Sequence, residues 1–322
     1  MQHTQFVNQI KSQFFPVVII EGDDAFLRED ALAQTKDALD VKLPELNTSI
    51  LIGEETSVNE IIALANSFPV MSEKRLVIVK DFLAEKKSVS KSDKSLQKLL
   101  DYCNDPNYST CLVFFYNQTK CPLLLNATVV DCNKKDLHAV SLWIKETFEK
   151  SKKTIKKLLA DRIAEYSNCD MYKVSLSVSK LIAFCQEEIT DEAIELLVPK
   201  DLEVVVFDLS NAICAKKPQT ALEICKKLLI EDDSKKILGS LYSTFRRMFF
   251  TTTSNLSDDL LAEKLSVNAY ALSKIKQQAT KFGSKKLKHA MHLCANSDLA
   301  IKFFFANDKD VLNDLVLELC NL

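Results

Sequence analysis

Residues 17–29 read Val17-Val18-Ile19-Ile20-Glu21-Gly22-Asp23-Asp24-Ala25-Phe26-Leu27-Arg28-Glu29, and they decide the fold of the first third of the chain. A short, unbroken apolar run closed by Glu-Gly-Asp is the pattern of a strand buried in a parallel sheet and leading into a loop. Residues 29–41 then take helical spacing, with Leu32, Thr35 and Leu39 on one side. The alternation continues outward. Residues 49–52 read as a second strand. Ser57-Val58-Asn59-Glu60 is a capping box, opening a helix that carries Ile61, Ile62, Leu64, Ala65 and Phe68 and is ended by Pro69. Residues 76–79, 111–116 and 129–132 read as three more strands. Between the first two of these lie a polar Lys/Ser loop at 86–94 and a helix at 95–103. Strands alternating with helices predict an open α/β domain on a parallel sheet.

Beyond about residue 137 the strand signals fade. Residues 137–150, 155–166 and 171–186 read as helices, and a short helix follows Thr190 as N-cap; this small helical module closes near Pro199. The remainder is again helical. Pro218 has the N1 position of a helix, Ser234, Ser257, Ser284 and Asp308 are N-cap candidates, and Ile237, Leu238, Leu241, Phe245, Met248 and Phe249 form one apolar face. The organisation expected is therefore an α/β domain over 1–137, a helical module over 138–200 and an all-α domain over 201–322.

Composition narrows the function. The 322 residues are 47% hydrophobic and 27% charged, ordinary for a globular protein. Lys+Arg number 42 against 44 Asp+Glu, a net charge of -2, which excludes a globally basic nucleic-acid coat but not a local basic face. Only four glycines occur, and the closest two, Gly22 and Gly53, are 31 positions apart, so no glycine-rich phosphate cradle can form. The ten cysteines are scattered, without a Cys-x-x-Cys pair. The first residues are polar and lack the apolar core of a signal peptide, and no apolar run reaches membrane-spanning length. These features predict a reduced, cytoplasmic protein whose cysteines are mostly small core residues.

Few residues could carry chemistry. Laid over a phosphate-binding GxxxxGK[ST] loop, residues 22–29 keep Gly22, but Leu27, Arg28 and Glu29 stand where Gly, Lys and Ser/Thr are required, and Asp23 and Asp24 would repel an anion. The stretch is either a disabled nucleotide loop or a plain strand–turn–helix corner. His289, His292 and Cys294 share a helical segment but lack the further ligand a metal centre needs, so neither metal nor cofactor is expected. No nucleophile elbow or zinc-protease motif occurs, and catalytic residues are not expected.

Two features suggest binding. Lys150, Lys153, Lys156 and Lys157 would line one face if their segment were a single helix, either as a solvated face or as a stripe for phosphates. In Ser67-Phe68-Pro69-Val70-Met71-Ser72, three large apolar residues surround a proline. Buried packing is the default for such a stretch; a plug for a partner's pocket is the other reading.

The blocks VVIIEGDDAFLRED, SFPVMSEKRLVIVKDF, VVVFDLSNAI, KKILGSLYSTFRRM and LAEKLSVNAYALSKIKQQATKF, in this order, resemble the delta subunit family of the bacterial DNA polymerase III clamp loader. The resemblance spans nearly the whole chain. It implies a degenerate AAA+-like α/β domain, a small helical lid and a helical collar used for oligomerisation. It also implies a subunit that does not hydrolyse ATP but binds and opens the ring-shaped sliding clamp, the beta subunit, for loading onto primed DNA. The motor subunits (tau/gamma) and the delta-prime subunit would be its partners. The family's clamp-binding pair would fall on Val70 and Met71, with Phe68 and Pro69 beside it. Phe305, in Ile301-Lys302-Phe303-Phe304-Phe305, would lie close to the primer–template, where an aromatic ring can stack on a base; three consecutive phenylalanines also read as core.

Two other classes of function compete with this reading. Residues 261–279 can be read as the helix-turn-helix of a DNA-binding regulator. A small-molecule enzyme could be built on the α/β domain, although no catalytic constellation supports it.

Overall fold

A computed structural model of the chain describes residues 1–83, 94–117, 121–122, 126–267, 269–303 and 307–322. They form two compact units, Met1–Lys135 and Asp136–Leu322.

The first unit runs α1 (His3–Gln9), β1 (Val17–Glu21), α2 (Ala25–Leu39), α3 (Pro44–Asn47), β2 (Thr48–Ile52), α4 (Val58–Ala65), β3 (Arg75–Lys80), α5 (Lys94–Asn104), β4 (Thr110–Phe115) and β5 (Thr128–Asp131). The five strands form one sheet of order β2-β3-β4-β1-β5, and every neighbouring pair is parallel. The order accounts for the patterning. The inner strands β1, β3 and β4 are sandwiched and almost wholly apolar and buried, whereas edge strands β2 and β5 bury only part of their residues. Side chains alternate across the pleat. Val17, Ile19, Val77, Val79, Leu112 and Phe114 therefore share one face, packed on Val58, Ile61 and Ala65 of α4 and Leu96, Leu99 and Cys103 of α5. The alternate residues Val18, Ile20, Ile78 and Val113 are equally buried on the opposite face, and α1 and α2 pack on β5 and β1.

The second unit is helical: α6 (Leu137–Lys150), α7 (Lys157–Tyr166), α8 (Met171–Phe184), α9 (Asp191–Leu197), α10 (Leu202–Cys214), α11 (Pro218–Glu231), α12 (Ser234–Thr253), α13 (Asp258–Leu265), α14 (Ala269–Phe282), α15 (Ser284–Phe303) and α16 (Asp308–Cys320). In α12, Ile237, Leu238, Leu241, Phe245 and Met248 recur at helical spacing and form the centre of a core built with α10, α11, α14, α15 and α16. Phe245 stacks on Phe282 at 6.0 Å between ring centroids.

The expected fold class is observed: an α/β domain with a parallel sheet, followed by helices. Local details differ. α4 ends at Ala65, with Asn66 as C-cap, not at Phe68; its end precedes Pro69 by a full turn. The caps of α12 and α16 are Asp233 and Asn307, whose side chains accept from the amides of Lys235 and Lys309, while Ser234 and Asp308 are the first helical residues. Ser284 likewise opens α15 as its first helical residue. α1 is an additional helix, with His3, Phe6 and Val7 buried. The polar 86–94 loop falls almost entirely outside the described residues.

Candidate functional site

The loop after β1 is closed on itself. Gly22 has φ 141°, and a Cβ there would lie 2.2 Å from the carbonyl carbon of Cys132, so only glycine fits under the chain leaving β5. The Asp24 amide donates to the Cys132 carbonyl at 3.0 Å, and the Lys134 amide donates to Asp23 at 2.6 Å. Asp24 also caps α2 by accepting from the Leu27 amide at 3.0 Å. Leu27 is fully buried. Arg28 is buried as well, and its Nη1 donates to the Gly22 carbonyl at 2.5 Å. The loop thus brings Gly22 and Arg28 together, while Glu29 points to solvent. Two amides of the loop, those of Leu27 and Asp24, are thus already taken, by Asp24 and by the Cys132 carbonyl. Burial pushes the Cys132 thiol up to about 12, with the neighbouring Asp131 adding to the shift and Arg28 opposing it.

The segment after α4 has the opposite character. Phe68 and Met71 are 82% and 85% exposed, and Val70 is 46% exposed. The default expectation of buried packing for this stretch does not hold: the three side chains stand out from the surface. The backbone at Val70 is nevertheless fixed. Asn47, wholly buried at the end of α3, donates from Nδ2 to the Val70 carbonyl at 2.8 Å and accepts from the Val70 amide at 2.7 Å. The same Nδ2 donates to the Lys42 carbonyl at 2.7 Å. One residue on, Met71 has φ 51°, an uncommon conformation for a non-glycine residue. Ser72 Oγ then accepts from the Lys42 amide at 3.1 Å and donates to the Lys74 carbonyl at 2.9 Å. Lys74 ties the exit of the loop down: its Nζ donates to the Tyr108 carbonyl at 2.6 Å and sits 4.0 Å from the Phe14 ring centroid. Asn47 was not singled out by the sequence, since its partner lies 23 positions away; only the buried amide reveals it.

The four lysines do not form a stripe. α6 ends in a Schellman motif, with Lys152 left-handed at φ 58°, the Lys152 amide on the Glu149 carbonyl and the Lys153 amide on the Phe148 carbonyl. Residues 154–156 then run extended, bridged to Glu188, before α7 starts at Lys157. Lys153 turns inward and donates to the carbonyls of Cys185 and Gln186 at the end of α8, and Lys156 pairs with Glu188 at 3.5 Å. Lys150 and Lys157 are exposed. Phe305 lies outside the described residues. Residues 261–279 do fall on two successive helices, α13 and α14, but Gln278 of α14 is buried and donates to Ser210 and Asn211 of α10. Among the described residues no three His, Cys, Asp or Glu side chains are grouped to hold a metal ion, and no helix is long and apolar enough to cross a membrane. Cys294 is buried, with its thiol pushed up to about 12 by that burial.

The sequence model of the family "DNA polymerase III, delta subunit" matches residues 19–133, and that of "DNA polymerase III delta subunit, C-terminal domain" matches residues 203–319. Together they span well over half of the chain. The chain belongs to the DNA polymerase III delta subunit family. Its N-terminal match begins in β1 and ends just past the Cys132 carbonyl that closes the β1 loop, so it contains both loops described above. The DNA polymerase III subunit delta of Bacillus subtilis (strain 168) is 25% identical over 324 residues, covering 95% of this chain and 93% of the relative. The solved Bacillus subtilis DNA clamp loader delta protein superposes with a TM-score of 0.82 at 22% identity, over 99% of this chain and 100% of that one. The fold is therefore shared along the whole length.

Proposed function

We propose that the chain engages and opens a sliding clamp through the Phe68–Met71 loop and does so without binding or hydrolysing ATP itself. The observation that carries this reading is the loop's combination of exposed apolar side chains and a fixed backbone, in a member of a clamp-loader subunit family. Exposed apolar residues on a rigid loop favour insertion into a partner's pocket, since little freedom remains to be lost on binding. Val70 and Met71 are the inserting pair, with Phe68 and Pro69 beside them.

The loop after β1 supports the absence of ATP chemistry in this reading. Leu27 fills the volume a glycine would leave open, Arg28 is turned onto Gly22, and Asp24 takes the amide a phosphate oxygen would need. Energy for switching then comes from the motor subunits (tau/gamma), and the chain alone is not an enzyme. Within the second unit, residues 138–200 act as a lid and residues 201–322 as the collar that meets the motor and delta-prime subunits; the continuous core confined to α10–α16 supports the second assignment. Primed DNA is met within the assembled, cytoplasmic complex. Of the predicted cations, Lys150 and Lys157 fit a phosphate backbone. A helix-turn-helix regulator is disfavoured because Gln278, a natural base reader, is consumed inside the fold.

Surface plasmon resonance of the purified chain on the sliding clamp from the same cell tests the reading. Binding is expected to be equal with and without ATP and Mg²⁺, and calorimetric titration with the nucleotide is expected to give no heat. Micromolar ATP affinity, or clamp binding that requires ATP, would overturn it.

A further inference from the structure

We propose that Asn47 is the positioning residue of the Phe68–Met71 loop: its carboxamide holds the loop in its binding-ready shape, and clamp affinity depends on it although it is buried away from any partner. This rests on the proposed role of Val70 and Met71.

Three observations carry the inference. Asn47 has no exposed surface, and a buried primary amide persists in a fold only when its donors and acceptor are matched. Here each is used on main chain: Nδ2 on the carbonyls of Lys42 and Val70, and Oδ1 on the Val70 amide. The carboxamide thus mimics a strand partner for one residue, Val70, and fixes it on both sides. Second, Met71, directly after Val70, is held at φ 51° with its side chain in solvent. Nothing about an exposed methionine favours that conformation; it persists because its neighbours over-determine it. Third, the following residue, Ser72, returns to the same turn through the Lys42 amide. Val70 and Ser72 are both anchored to residues 42–47, and Met71 is the unanchored residue between them. A loop gripped at both sides of its most exposed apolar residue is preorganised, and preorganisation raises affinity by reducing what is lost on binding.

The test is a mutant cycle on the full-length chain. Asn47→Ala should weaken clamp binding about tenfold, chiefly through faster dissociation. In the background Val70→Ser, Met71→Ser, the same change should alter the remaining affinity less than twofold, because no plug is left to position. Equal losses in both backgrounds would mean that Asn47 acts on the fold at large, and unchanged affinity of Asn47→Ala with the plug intact would mean that it positions nothing; either overturns the inference. If the double serine variant itself binds the clamp like the parent chain, the plug reading falls first and the inference with it. Should Asn47→Ala fold poorly, hydrogen exchange of the parent chain decides: the Val70 amide is expected to be protected well above the rate of a solvated loop, and an unprotected Val70 amide contradicts the proposal.

Discussion

The loop after β1 and the loop after α4 are both short, rigid and fixed by side chains that accept and donate to main chain, yet their consequences are opposite. In the first, the fixing groups turn inward: Arg28 and Leu27 are buried, and Asp24 caps α2. In the second, Asn47 from a neighbouring element grips Val70 while Ser72 and Lys74 secure the exit, which leaves the side chains of Phe68, Val70 and Met71 exposed. Rigidity by itself therefore says nothing about function. What matters is whether the loop's own large side chains are turned inward, as Leu27 and Arg28 are, or left exposed, as Phe68 and Met71 are.

The contrast can be broken from the first side. Gly22→Ala would drive a Cβ into the Cys132 carbonyl in a backbone conformation disfavoured for alanine, and should cost on the order of 4 kcal/mol in a urea melt. Leu27→Gly, which restores the missing glycine of a nucleotide loop, should cost about 3 kcal/mol or more by leaving a cavity. It should not create ATP binding, because Asp24 and Cys132 still hold the amides; calorimetry would register any gain. Arg28→Ala orphans the buried Gly22 carbonyl, for about 2 kcal/mol.

A smaller effect sharpens the same side. With the Cys132 thiol pushed up to about 12, the folded state keeps it protonated where an unfolded chain begins to ionise it. Its contribution to stability is therefore full below the ordinary thiol range and is lost as pH climbs from there toward about 12. At pH 8 Cys132 should be alkylated slowly in the native protein, and no faster in folded Arg28→Ala, because removing that cation takes away a charge that favours the thiolate, as read by mass spectrometry.

Much of this was legible in the sequence. The apolar run of β1 and the similar runs of β3 and β4 could be placed in a parallel sheet because inner strands are buried on both faces and show it in composition. Cap positions were less legible. Asp233-Ser234 and Asn307-Asp308 each offer two capping side chains in a row, and the geometry of chain entry selects the first. The lysine stripe fails where the separate helices over 137–150 and 155–166 already break the segment; what the sequence does not mark is that the break is a Schellman turn made by a lysine rather than a glycine. α1 escaped notice because three apolar residues in a polar stretch, Phe6, Val7 and Ile10, are too few to set a pattern, although all three are buried. The exposure of Val70 and Met71 is foreshadowed by their isolation between Pro69 and the polar Ser72-Glu73-Lys74-Arg75, although buried packing is the default for such a stretch. Asn47 could not be, since nothing local marks an asparagine whose partner is a distant main-chain group.

The central claim, that the second loop is a binding element and not a piece of core, is tested most directly by pairing clamp affinity with thermal stability for the variant Val70→Ser, Met71→Ser. Small apolar anchors in pockets contribute about 2 kcal/mol or more each, so affinity should fall roughly a hundredfold or more. The melting temperature should stay where it is, because neither side chain is buried. A well-folded variant that binds the clamp as tightly as the parent chain would contradict the account.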